Sequence, residues 1–487
     1  MRLSRALAAA TLALLSLPGL ASEPAKVSAE EGLVDIGERL EMFVDPWLIQ
    51  EMRGAALKLH EPVRREVVWQ AEKPWEGTWC AYFTALRDGD VIRIYYRASN
   101  PGRDASEDQY TCVIESRDGV RFTRPELGLV EFEGSRANNI IWKGPLSHNF
   151  APFVDANPDA RPGERYKAVA SVAGNPERPG RLYALSSPDG IRWKLIREEP
   201  LDLPGAFDSL NVAFWDPHTK VYRCYSRIFM DGCRAIQSSI SKDFLNWSPP
   251  VPNSYPEGAP PTQMYTNATI PCPGAEHILL SFPKRFVEER KKLPDAALPG
   301  VSDAIFMASR DGVHWDRSFL EAWVRPGPDP LNWSHRNNMP AWGIVQTGPD
   351  EFSMYISEHA GFPTTRLRRL SVRRHGFASV HAGFSGGQML TRPFTFSGED
   401  LILNYSTSAA GSVKVEALDA AGKPVPGFTL AEAPELFGDE LDAVYRWKNG
   451  RRLAELRGHP IRLRFVLKDA DLFAIRTGQT ATQPPAY

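Results

Sequence analysis

From about residue 80 onward, apolar and polar positions alternate in short runs bounded by turn residues, the two-residue period of strands that cover one face. The runs 91–96, 165–170, 220–225, 277–282 and 351–356 read as strands, and an extended stretch precedes each, at 80–86, 149–155, 210–216, 265–271 and 339–346. After Ser385, Gly386 and Gly387 the texture changes to shorter alternating runs at 401–405, 412–416, 443–447 and 461–465, separated by Gly and Pro turns. That second pattern predicts a β-sandwich.

A repeat sets the architecture of the first region. Ser116, Asp118, Gly119 and Phe122 recur in the same register as Ser187, Asp189, Gly190 and Trp193, and again as Ser309, Asp311, Gly312 and Trp315. A fourth copy, Ser241, Asp243 and Trp247, puts Phe244 where the others have Gly, and a degraded fifth runs from Arg373 to Phe377 with His375 ahead of Gly376. The copies are spaced roughly 55 to 70 residues apart, longer than an ordinary propeller blade and with room for long loops on one face. The Asp accepts local N–H bonds, the Gly supplies a positive φ, and the aromatic packs between neighbouring units. A turn repeated around a ring cannot mark one asymmetric site, so these residues are read as structural. The expectation is an all-β chain: a five-bladed β-propeller over 33–384, its ring closed by the segment 33–69 against the last blade, then a β-sandwich over 388–477 and a disordered tail at 478–487.

Composition adds the compartment. Arg2 and Arg5 precede an apolar run at 6–17, followed by Pro18, Gly19, Leu20 and Ala21, the charge, core and small-residue order of an export signal spanning 1–21. The run is short of the roughly 20 residues a spanning helix needs, so a mature protein in the periplasm or outside the cell is expected, without membrane insertion. A formal net charge of −2 gives no bias toward nucleic acid. The five cysteines have no paired CxxC spacing and no His at zinc-ligand distance, so no metal or other cofactor is predicted. Cys224 and Cys233 flank a hairpin turn at 230–232, which leaves a cross-strand disulfide and two free thiols equally open. The sequence leaves the oligomeric state open.

With these motifs in place the chain resembles the five-bladed propeller glycosidases of the invertase, levanase, arabinanase and xylosidase type. More closely it resembles a group of secreted bacterial proteins classed with glycoside hydrolases, through the stretches 73–77, 207–216, 300–312, 333–342 and 406–412. The resemblance implies a carbohydrate partner and cleavage of glycosidic bonds. One departure limits it: invertase-type enzymes carry a nucleophilic Asp on the first inner strand, whereas 79–84 here holds no carboxylate.

In propellers of this type the inner strand starts on the ligand face and the second strand returns to it. That rule selects Tyr82, His148, Asn149, Asn211, Tyr265, Asn267, His335, Arg336 and Asn337 from strand starts, and Arg97, Arg227, Lys284, Arg285 and His359 from returning strands. Glycoside hydrolysis needs a carboxylic acid and a carboxylate. Asp208 at a strand lip is the first candidate and Glu358 the second, its burial expected to raise its pKa toward that of a general acid; Glu76 and Asp303 stand in reserve. The arginines suggest an anionic substrate, a uronic acid or a sulfated sugar. The competing readings are a glycan-binding propeller without catalysis and, more weakly, a sialidase-like enzyme. Two carboxylates facing one pocket would favour hydrolysis.

Overall fold

In the computed structural model residues 32–99, 109–172, 180–294, 296 and 298–479 are described. The segment 1–21, expected to be an export signal, lies outside them, as does the tail beyond residue 479.

Five four-stranded antiparallel sheets follow one another along the chain. The first blade is Ala81–Asp88, Val91–Ala98, Tyr110–Ser116 and Ile140–Lys143; the second is Asn149–Val154, Tyr166–Val172, Arg181–Ser187 and Lys194–Leu195. The third is Val212–Asp216, Val221–Met230, Cys233–Ser241 and Val251–Pro252. In the fourth, Ile270–Cys272, Ala275–Ser281, Met307–Ser309 and Trp315–Asp316 are interrupted by a separate hairpin, Lys284–Val287 with Val301–Ala304. The fifth takes Val345–Gln346, Glu351–Glu358 and Arg366–Arg373 from late in the chain and its outer strand, Val63–Gln70, from early in it. This early strand closes the ring, so blade 5 cannot complete itself without the N-terminal segment.

The rest of that segment goes elsewhere. Strands within 34–59 pair with 378–395 and with Ile461–Gly478, adding N-terminal strands to a ten-stranded sheet in the C-terminal region. Two long strands, Asp400–Asp419 and Ile461–Gly478, pair along both of their halves, with a register break between Thr407 and Ser412. Buried residues from both halves, among them Leu403, Tyr405, Val415, Phe465 and Leu472, share one core. The sheet therefore folds over on itself, as a sandwich does.

The repeated turn acts as a clamp between blades. In each of the four copies the Ser hydroxyl accepts from the third residue after it, and the Asp carboxylate accepts from two successive backbone N–H groups, as in Val120 and Arg121 to Asp118 at 2.8 Å each. The Gly carbonyl then accepts a tyrosine hydroxyl from the preceding blade: Tyr355 on Gly119, Tyr95 on Gly190 and Tyr225 on Gly312, at 2.8 to 3.0 Å. Phe244, in the copy that lacks Gly, still takes a left-handed φ of 68°. Gly312 has φ 85°, and a Cβ added there would lie 2.6 Å from the Tyr225 hydroxyl and 2.3 Å from Arg223. Gly312→Ala should therefore cost about 1–3 kcal/mol from backbone strain alone, read as a lowered melting temperature.

Cys224 lies opposite Ser239 and Cys233 opposite Met230, so the hairpin register separates the two thiols, and all five cysteines are free.

Candidate functional site

The upper end of the ring axis is built from the residues just before the inner strands and just after the second strands. Tyr82 enters blade 1 with a left-handed φ of 56° and donates its hydroxyl to the Asp208 carbonyl at 2.9 Å, tying blade 1 to blade 3. Arg97 leaves the same blade, lies 4.8 Å over the Tyr82 ring and donates to the His148 carbonyl at 3.3 Å. The His148 imidazole meets Gln109 at 3.1 Å and the Asp208 carbonyl at 3.3 Å. Burial, reinforced by Arg97 and Arg336, pushes it down to about 3, so it is neutral at pH 7.

A second group gathers on Tyr265. The Lys284 amine lies 3.9 Å from the ring centroid, and the Arg227 and Arg234 guanidiniums lie 5.3 and 5.6 Å from it. His335 packs edge-on against the same ring at 5.4 Å and against Phe286 at 4.6 Å. Arg336, at a left-handed φ of 68°, stacks 4.1 Å from Trp79. A cleft lined by Trp79, Ser334, His335, Arg336, Gly361 and Phe362 opens beside these side chains.

Basic side chains outnumber acids here, although Arg227 pairs with Asp208 and Arg234 with Glu288 at 3.5 Å. Lys284 is fully buried, its amine has no hydrogen-bond partner among the described residues, and burial together with Arg336, Arg234 and Arg227 holds it well below the usual lysine range. Burial, with Lys284, Arg336 and Arg234, likewise pushes His335 down to about 2. Arg336 Nε and Nη1, Arg97 Nε, Arg227 Nε and His335 Nδ1 are also buried without partners among the described residues. Burying charged donors without acceptors is costly, and left-handed non-glycine residues at Tyr82 and Arg336 add strain in the same place.

The proposed carboxylates do not gather there. Asp208 alone is at the axial face; its side chain is 47% exposed and pairs with Arg227. Glu358 is buried against Arg64, Arg366 and Arg368, the latter two at 2.8 Å. Despite burial, those arginines hold its carboxyl below the usual range, so the expected general acid is a permanent carboxylate, the reverse of the sequence expectation. Glu76 is enclosed by Tyr96, Trp69 and Arg124. Asp303 forms a bidentate pair with Arg285 at 2.8 and 2.5 Å. Side chains alternate along Lys284–Val287, which is why Lys284 joins the axial cluster and Arg285 does not.

The amides mostly hold loops. Asn149 and Asn211 bond each other and the Phe207 carbonyl, Asn267 donates to the Leu210 and Tyr225 carbonyls, and Asn337 ties Leu331 to Ala360. His359 is spent between Asp329 at 2.7 Å and Thr364 at 2.8 Å. Arg234 and Phe286 were not selected by the strand-end rule. Arg234 reaches the site because the third blade's hairpin, Val221–Met230 with Cys233–Ser241, is long; the lengths of its two runs were the signal.

No protein-family model and no curated protein matches the chain. Solved structures similar to it include proteins named for action on glycans. They include a Penicillium chrysogenum α-L-arabinanase complexed with arabinobiose (9% identity, 65% of this chain, 99% of that one, TM-score 0.40). A glycosyl hydrolase from Bacteroides ovatus (12%, 69%, 99%, TM-score 0.41) and an N-acetylgalactosamine deacetylase from F. plautii in complex with blood group B trisaccharide (12%, 65%, 95%, TM-score 0.43) are also similar. At such identities no catalytic residue transfers, and the five blades are established by the strand pairing itself. The matched share is near two thirds of the chain in each case.

Proposed function

We propose that this is an exported carbohydrate-active protein whose propeller axis binds an anionic glycan and acts on its glycosidic bonds. The observation that carries the reading is the group Arg97, Lys284 and Arg336, basic side chains without an acid partner among the described residues, the first two buried and the third half-buried, set around Tyr82, Tyr265 and Trp79. Guanidiniums pair bidentately with carboxylate or sulfate, and aromatic faces suit the apolar faces of sugar rings. Export rests on the residue order of 1–21.

Hydrolysis by the usual pair of carboxylates would require a partner for Asp208, and Glu76, Glu358 and Asp303 are each engaged elsewhere. That observation favours a second reading, a propeller that binds the glycan without cutting it.

Binding to uronate-rich and sulfated polysaccharides, beside neutral ones, tests the main proposal, with released sugars measured in parallel. Arg336→Ala and Arg227→Ala should each weaken binding about 10- to 100-fold, the value of a charge-assisted hydrogen bond, and raising salt should weaken it further. Arg285→Ala, whose side chain bonds Asp303 and the Leu320 carbonyl among the described residues, should leave binding unchanged. Preference for a neutral polysaccharide would sink the reading.

A further inference from the structure

Resting on that reading of the axial site, we infer that it cleaves a uronic-acid glycan by β-elimination, with His335 removing the proton beside the sugar carboxylate, Tyr265 protonating the departing oxygen, and Arg336 and Arg227 holding the carboxylate.

The argument starts from what each reaction demands. Hydrolysis needs two carboxylates across the bond and a water. Elimination from a uronate needs no carboxylate from the protein. The C5–H bond breaks toward a base, its electron pair forms the C4–C5 double bond, the C4–O4 bond breaks, and the leaving oxygen takes a proton. No water, oxidant or other co-reactant enters. Negative charge develops on the sugar carboxylate as C5 is deprotonated, so the protein's main task is to place fixed positive charge there. The axial face is rich in basic side chains and holds two tyrosines and two neutral histidines, with two exposed carboxylates, Asp208 paired with Arg227 and Glu288 paired with Arg234 at 3.5 Å.

Geometry selects the pair. His335 and Arg336 line the same cleft, adjacent in sequence, while Tyr265 is 5.4 Å from the His335 ring and 5.3 Å from the Arg227 guanidinium. A neutral imidazole has a free lone pair, and here burial first, then the basic side chains Lys284, Arg336 and Arg234, disfavour its protonated form. A bound carboxylate offsets those charges and raises the imidazole's basicity when substrate is in place. An empty site therefore holds a weak base, and an occupied one a stronger base. Glu76, Glu358 and Asp303 take no part.

The full-length protein, incubated with oligogalacturonate, oligoalginate and oligoglucuronate in ¹⁸O-labelled water and read by mass spectrometry, tests the inference. Cleavage of one of them to an unsaturated fragment without labelled oxygen is the expected result. His335→Ala should lower that rate at least about 100-fold while changing affinity less than about threefold, and His335→Gln, which keeps a polar side chain of similar reach, should behave alike with an unchanged melting temperature. Fragments carrying the label mean hydrolysis and overturn the inference while leaving the anionic site standing. Uronates bound but uncut, or sulfated glycans bound in their place, do the same. Failure to bind any anionic glycan overturns both.

Discussion

Glu76→Gln is expected to destabilise the protein by about 3–5 kcal/mol, the cost of breaking a buried ion pair, and to lower the melting temperature by roughly 5–10 °C. Both carboxylate oxygens are surrounded by donors. Tyr96 Oη at 2.6 Å, Arg124 Nε at 2.7 Å and Trp69 Nε1 at 3.3 Å meet Oε1; the backbone N–H groups of Glu72 and Lys73 at 2.9 and 3.0 Å and Arg124 Nη2 at 3.0 Å meet Oε2. An amide nitrogen placed in either position faces donors, so neither flip satisfies it. The position also matters. Trp69 belongs to the early strand that completes blade 5, Tyr96 to blade 1, and Arg124 donates to the Gln70 carbonyl as well. Glu76 thus holds the seam where the ring closes, and the loss should appear as cooperative unfolding at lower temperature in calorimetry. A variant that folds with full stability but loses activity would restore Glu76 as a catalytic candidate.

The contrast with the sequence reading has a physical origin. The five-unit repeat was legible because its turn chemistry is local: Ser, Asp and a positive φ lie within four residues, and even Phe244 keeps the φ sign when the glycine is gone. Which carboxylates are free was not legible. Glu358 is neutralised by Arg64, 294 residues away in sequence, as well as by its near neighbours, and no local pattern reports such a partner. Strand alternation would have told Lys284 from Arg285, but only once the register of the inserted hairpin was known. The N-terminal segment was assigned to ring closure as a whole, whereas only Val63–Gln70 closes the ring and the strands within 34–59 join the C-terminal sheet. Both are alternating β runs, and partner choice is set by long-range packing. Arg97, Arg227, Lys284 and Arg336 were legible because the strand-end rule depends only on where each strand starts and stops, whereas the same rule omits Arg234 and includes Arg285, which pairs with Asp303 instead.

Acidification should destabilise the free protein, and an anionic glycan should counter the effect. His148 and His335 have folded-state values near 3 and 2, pushed down by burial and by neighbouring cations, against 6.5 unfolded. A base whose folded value is depressed is protonated first in the unfolded state. Its contribution to stability is therefore complete above about pH 6.5 and falls as pH drops toward the folded value, by up to about 1.4 kcal/mol per pH unit for each proton. Glu358 acts in a lower window: its depressed carboxyl stabilises the fold above the unfolded carboxylate value, and that stability is lost as pH falls through the folded one. The melting temperature should thus decline between pH 6.5 and 4, with the histidines acting first. A sulfated or uronate oligosaccharide bound among Arg97, Lys284 and Arg336 offsets the charge that depresses both imidazoles, so their values rise on binding and protons are taken up. Titration calorimetry in two buffers of different ionisation enthalpy near pH 5 should show that uptake, and the double variant His148→Gln with His335→Gln should abolish most of it. Binding without proton uptake would mean that the glycan sits away from the axial cations, since a charge placed among them cannot leave the neighbouring imidazoles unaffected.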